Sequence, residues 1–214
     1  MKRFVRSTLT ALLVVIMLTM GLNVHAAPAS KEEAYLKQYQ KILQTMKTGM
    51  ENAPVTGDPT IDFLYEMIPH HEVAVRMSEN YLSYGNDPQL KEIATNIRNE
   101  QKAEVVEMKS LLDRLKSTPH IDKAKEAEYL IGYKKAYSRM ITRMETTKPT
   151  GNINEDFLIE MIPHHKGAVK MAADILDYTN NEELSKMAKM IVGNQYTQLM
   201  KMRKMLMAMK KGEE

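Results

Sequence analysis

The chain has 214 residues, with 30 Lys+Arg against 27 Asp+Glu, 19 methionines, no cysteine and no tryptophan. Without cysteine there is no thiolate ligand and no disulfide, so any soft-metal chemistry must rest on methionine and histidine. Three of the basic residues, Lys2, Arg3 and Arg6, stand at the N-terminus; without them the two signs balance at 27 each, leaving no basic surplus for binding nucleic acid.

Those three residues precede an apolar run from Leu9 to Leu22 that is too short for a membrane span, and Val24-His25-Ala26 supplies a cleavage site. Residues 1–26 are therefore expected to be a secretory signal peptide, cleaved near Ala26 and taking His25 with it. The mature chain is expected to be periplasmic or secreted, with no stable membrane anchor. Its roughly 188 residues can bury one good core or two small ones.

The remainder is one unit written twice. An offset of 94 residues carries His70 onto His164, and with it Tyr35 onto Tyr129, Thr56-Gly57 onto Thr150-Gly151, Glu66 onto Glu160 and Gln101 onto Gln195. The first unit spans residues 27–118 and the second 119–214, separated by Thr118-Pro119-His120. His120 has no evident partner.

Three helices are expected in each unit: about 31–50, 58–84 and 87–116, then about 124–147, 154–178 and 181–211. Asp58-Pro59, Asp87-Pro88 and Asn154 supply starts, and Gly85-Asn86 and Thr179-Asn180 supply turns. Apolar residues recur at helical spacing, as in Phe63, Met67, His70, Ala74, Met77 and Tyr81, which predicts an all-α bundle. The short turns make the second and third helices of each unit antiparallel neighbours. A pivot at Gly85-Asn86 sets residue i opposite about 171 minus i, placing His70 by Gln101, Met67 by Glu104 and Phe63 by Met108. The second copy correspondingly pairs His164 with Gln195, Met161 with Gln198 and Phe157 with Met202.

Polar residues thus share one level of a bundle core, which is costly unless each finds a partner. Met67 precedes His70 and His71 by three and four residues, so its thioether neighbours both imidazoles; Met161, His164 and His165 repeat the pattern. Thioethers and imidazoles without thiolate favour Cu(I) and, by analogy, Ag(I). Pro69, inside the helix, predicts a kink that re-aims the imidazoles. Glu66 and Glu160 are expected to orient histidines or to be solvated, the Lys/Arg scatter to be a solvated face, and the methionines of the last helix, Met202 apart, to be core filler. The alternative to a metal is a buried polar layer that only fixes helix register. A metal-dependent oxidase is disfavoured, because a di-iron bundle needs two Glu-x-x-His pairs and this chain has none.

Phe63-Leu64-Tyr65-Glu66-Met67-Ile68-Pro69-His70-His71, with Ala74-Val75 and Met77, and its copy from Phe157 to Met171, resemble the domain-of-unknown-function 305 family, as does Gln101-x-x-Glu104-x-x-x-Met108. The resemblance implies a ferritin-like four-helix bundle core with an additional helix before each unit's pair. For CopM-type exported members it implies copper binding through Met and His that contributes to copper resistance. Carried over by position, the implied metal ligands are Met67, His70, His71 and Met77, with Met161, His164, His165 and Met171. Gln101, Glu104, Met108, Gln195, Gln198 and Met202 stand as supporting residues or further ligands. The expected partners are copper ions and other exported copper-handling proteins, with oligomerisation left open. Gln198 at the position of Glu104, and Lys166-Gly167 at that of Glu72-Val73, make the two copies unequal.

Overall fold

The computed structural model describes residues 30–212 and contains six helices in that range: α1 Lys31–Glu51, α2 Pro59–Tyr84, α3 Pro88–Leu115, α4 Lys123–Thr146, α5 Ile153–Ile175 and α6 Glu182–Gly212. The expected leader and its cleavage point lie outside the described residues. Among those described, there is no strand, and no helix is long and apolar enough to cross a membrane.

Local chemistry sets the helix starts. Ser30 and Glu33 form a reciprocal capping box on α1. Asp58 and Asp87 cap α2 and α3, each followed by a proline whose missing N–H is harmless in the first turn. Asn152 caps α5, and the Asn181 side chain accepts from Leu184 N at 2.8 Å at the start of α6. α5 stops at Ile175, short of the expected 178, because Asp177 N and Tyr178 N bond back three residues to Asp174 O and Ile175 O.

Positions 94 residues apart share fine structure in two loops. Gly57 and Gly151 occupy the same left-handed conformation, at φ 90° and 86°. Immediately before each, a threonine donates through its amide and hydroxyl to an aspartate six residues on: Thr56 to Asp62 Oδ1 at 2.8 and 2.6 Å, and Thr150 to Asp156 Oδ1 at 2.8 and 2.9 Å. The linker between units is anchored to this loop. His120 N donates to Asp58 Oδ2 at 2.7 Å and Asp122 N to Gly57 O at 2.7 Å.

The architecture is a ferritin-like helical bundle. α2 and α5 form an antiparallel pair at its centre, α3 and α6 fold back on them as hairpin partners, and α1 and α4 pack on α2 and α5 from outside. The apolar stripes face this seam: Phe63, Met67, Ala74, Met77 and Tyr81 are at most 2% exposed, and Tyr81 stacks on Phe157 at 4.4 Å. Both central helices run unbroken through Pro69 and Pro163.

Candidate metal centre

His70 and His164 meet where the central helices cross, their rings 3.8 Å apart. His71 and His165 flank them, each 5.8 Å from its neighbour in sequence, and each also acts electrostatically on the other, so the four imidazoles form one cluster. All four are fully buried. Burial, then the neighbouring imidazoles, hold the pKa of His70 well below the ordinary histidine value; His164 is likewise lowered, and His165 is lowered to about 4. These three rings are therefore neutral near pH 7, with lone pairs to offer a metal.

Hydrogen bonding fixes some of those lone pairs. His164 Nε2 donates to the His70 carbonyl at 3.1 Å, which leaves Nδ1 without a proton or a partner. His165 Nε2 donates to Gln198 Oε1 at 2.8 Å; Gln198 in turn donates to Glu100 Oε2 at 2.6 Å, and His165 Nδ1 has no partner. Both nitrogens of His70 are unpartnered.

His71 is different. Its Nδ1 donates to Met67 O at 3.2 Å, yet its Nε2 faces Glu104 Oε2 at 3.0 Å and the amide nitrogen of Gln195 at 3.3 Å. The carboxylate contact has ion-pair distance without hydrogen-bond alignment. With Nδ1 as the donor, the Nε2 lone pair accepts from the Gln195 amide, and the Glu104 carboxylate stands beside it.

The expected pairing across each hairpin is displaced by about one turn. Glu104 reaches His71 rather than Met67, and Gln198 reaches His165 rather than Met161. Helical side chains lean toward their own N-terminus, which on α3 and α6 is the turn, so they meet residues further along α2 and α5. Gln195 crosses to the other unit's histidine, and neither side-chain polar atom of Gln101 has a partner.

The methionines stand at different distances from this cluster. Met67 and Met161 lie within one turn of the histidines and are at most 1% exposed. Met77 and Met171 are equally buried but seven residues past His70 and His164, roughly 10 Å along the axis, away from the imidazole level. Met108 and Met202 are buried on α3 and α6. Of the remaining methionines of α6, Met187 is buried, whereas Met190, Met200 and Met207 are 46–62% exposed and do not fill a core. Among the described residues, no three His, Asp or Glu side chains converge as a ready metal cage.

Glu66 and Glu160 neither touch the histidines nor reach solvent. Each accepts a hydrogen bond from the tyrosine of the other unit's first helix: Tyr129 to Glu66 and Tyr35 to Glu160. Burial raises the Glu66 carboxyl to about 9, so it is protonated at neutral pH, and burial likewise pushes Glu160 well above its ordinary value. Tyr35 and Glu66 recur at the repeat offset as Tyr129 and Glu160, but that recurrence does not show that each tyrosine serves the other unit.

The profile of the family described as Domain of unknown function (DUF305) matches residues 60–206. Among solved structures, CopM in its Cu(I)-bound form is similar at 26% identity and TM-score 0.53, over 70% of this chain and 96% of that one. CopM has also been solved in apo, Ag-bound and Cu(II)-bound forms. A DUF305 fragment from Deinococcus radiodurans shares the fold at 24% identity and TM-score 0.51, over 69% of this chain and 95% of that one. A curated relative, the uncharacterized protein L153 of Acanthamoeba polyphaga mimivirus, is 43% identical over 54 residues, which is 25% of this chain and only 36% of the relative's length.

Proposed function

The chain belongs to the DUF305 family, and from that premise we propose that it is an exported protein that binds Cu(I) or Ag(I) as cargo, for copper buffering, trafficking or resistance. The observation that carries this reading is the buried cluster of four imidazoles, with nitrogens of His70, His164 and His165 lacking any partner. Leaving one such polar atom buried costs about 1–3 kcal/mol, and a soft cation would recover that cost. The proposed ligands are the imidazoles of His70, His71, His164 and His165 with the thioethers of Met67 and Met161. Met77, Met171, Met108 and Met202 would serve a second ion or a rearranged site, since they stand off the imidazole level or on the flanking helices. Similarity to CopM, solved with Cu(I), Cu(II) and Ag, supports the choice of ion.

A competing reading is a polar layer that only sets register, and the closed chain from His165 through Gln198 to Glu100 favours it. Anaerobic Cu(I) competition against a chelator of moderate affinity, on the wild type and on His70→Ala/His164→Ala, separates the two. We expect the wild type to withdraw Cu(I), to melt higher with Cu(I) or Ag(I), and to lose both properties in the double variant. No withdrawal by the wild type, or an unchanged double variant, leaves the register reading.

A further inference from the structure

The two units diverge on the outer face of the bundle. α4, α5 and α6 leave between them an open groove of about 1260 Å³, floored in part by Met140, Ile159, Ile162 and Leu206. Its walls carry Lys135, Arg139, Arg143, Lys166, Lys170 and Arg203, all exposed. Among the described residues, none of these six makes an ion pair. A seventh cation, Lys210, is 3.5 Å from Glu155, and Asp174 is the one acidic residue in the lining.

The first unit has other residues at the corresponding places. Arg143 is matched by Gly49, where α1 sits so close to α2 that an added Cβ would lie 2.8 Å from the Pro69 ring. Lys166 is matched by Glu72, which binds Lys109, the counterpart of Arg203, at 2.6 Å. What the first unit closes and neutralises, the second opens and leaves positive.

We propose that this groove binds an acidic, amphipathic helical segment of a partner protein. The complementarity is of charge and of shape. Uncompensated cations rim an apolar floor, so the occupant presents carboxylates at its edges and apolar side chains beneath. Lining residues run along α4 from Gly132 to its C-cap Thr147, roughly 22 Å along the axis, which seats about four turns of helix. The floor is recessed, so a flat anionic bilayer would touch the rim alone.

The probe is a synthetic peptide of about 16 residues with Glu and Leu at helical spacing, titrated against the mature chain by fluorescence anisotropy and methyl NMR. We expect saturable binding that weakens with added salt, shifts of the Met140 and Leu206 methyls, and at least about a tenfold loss in Arg139→Glu/Lys166→Glu. Both substituted residues are exposed, and Lys166→Glu alone places there the acid the first unit carries, so a folded variant is available. Equal binding by both charge-reversed variants, equal binding of a Glu/Ser peptide lacking the apolar face, or competition from phosphatidylglycerol vesicles held by the same two residues would overturn the proposal.

Discussion

Glu66 illustrates how a single side chain ties pH to folding. Its carboxyl lies in the core against the Tyr129 hydroxyl, and burial lifts it from 4.5 to about 9. The folded chain therefore holds a proton that the unfolded chain releases. The resulting stabilisation is complete below about pH 4.5 and drains away as pH rises through about 9, with a slope approaching 1.4 kcal/mol per pH unit. Glu66→Gln keeps an acceptor for Tyr129 without the ionisation, so urea melts at pH 5, 7 and 9 should show its stability falling less steeply than that of the wild type. Histidine acts in the opposite direction: the stability tied to neutral His165 is present above about 6.5 and is lost as pH falls through about 4. At this scale the sequence showed which residues share a level better than what they touch. The Met/His level was legible from the repeat, because Met67, His70 and His71 recur at one spacing as Met161, His164 and His165. The partners of Glu66 and Glu160 were not, because each tyrosine comes from the other unit and helical periodicity says nothing about which helices become neighbours.

Between elements, close approach is bought with small side chains, and each unit uses different ones. α1 nears α2 at Gly49, and α4 nears α5 at Gly167, where an added Cβ would lie 2.4 Å from the Met140 sulfur and 2.9 Å from its Cγ. Gly167→Val would give the second unit the residue of the first, Val73, without the first unit's helix placement. We expect it to lower the urea midpoint at unchanged m-value, with a loss of about 1–3 kcal/mol from overpacking. Helix positions were largely legible, because capping residues, prolines and glycines mark them in the sequence. Hairpin register was misjudged by one turn, since a fixed pivot ignores the lean of long side chains toward the turn. The lysines and arginines are solvated, as their scatter in sequence predicts, but only the packing of three helices gathers six of them around one groove.

Across the molecule, an approximate two-fold relation brings like to like at the centre, with His70 on His164, and exchanges tyrosines at the periphery. Tyr35 of the first unit bonds Glu160 of the second, and Tyr129 of the second bonds Glu66 of the first. The halves are thereby stitched into one cooperative body despite their separate sequences. Scanning calorimetry should show one transition, and Tyr35→Phe/Tyr129→Phe should lower it by about 1–3 kcal/mol per lost donor, with the two losses adding because the pairs are far apart. Two resolved transitions in the wild type would mean that the units fold separately.

If the imidazole cluster holds an ion as proposed, its complete burial would also govern how fast that ion arrives. An ion bound for His70 and His164 would enter only when the helices packed around them part, so that opening, and not diffusion, would set the pace of loading. At high ion concentration the loading rate would level off at the opening rate, and release would pass through the same bottleneck, so the site would fill slowly and leak slowly.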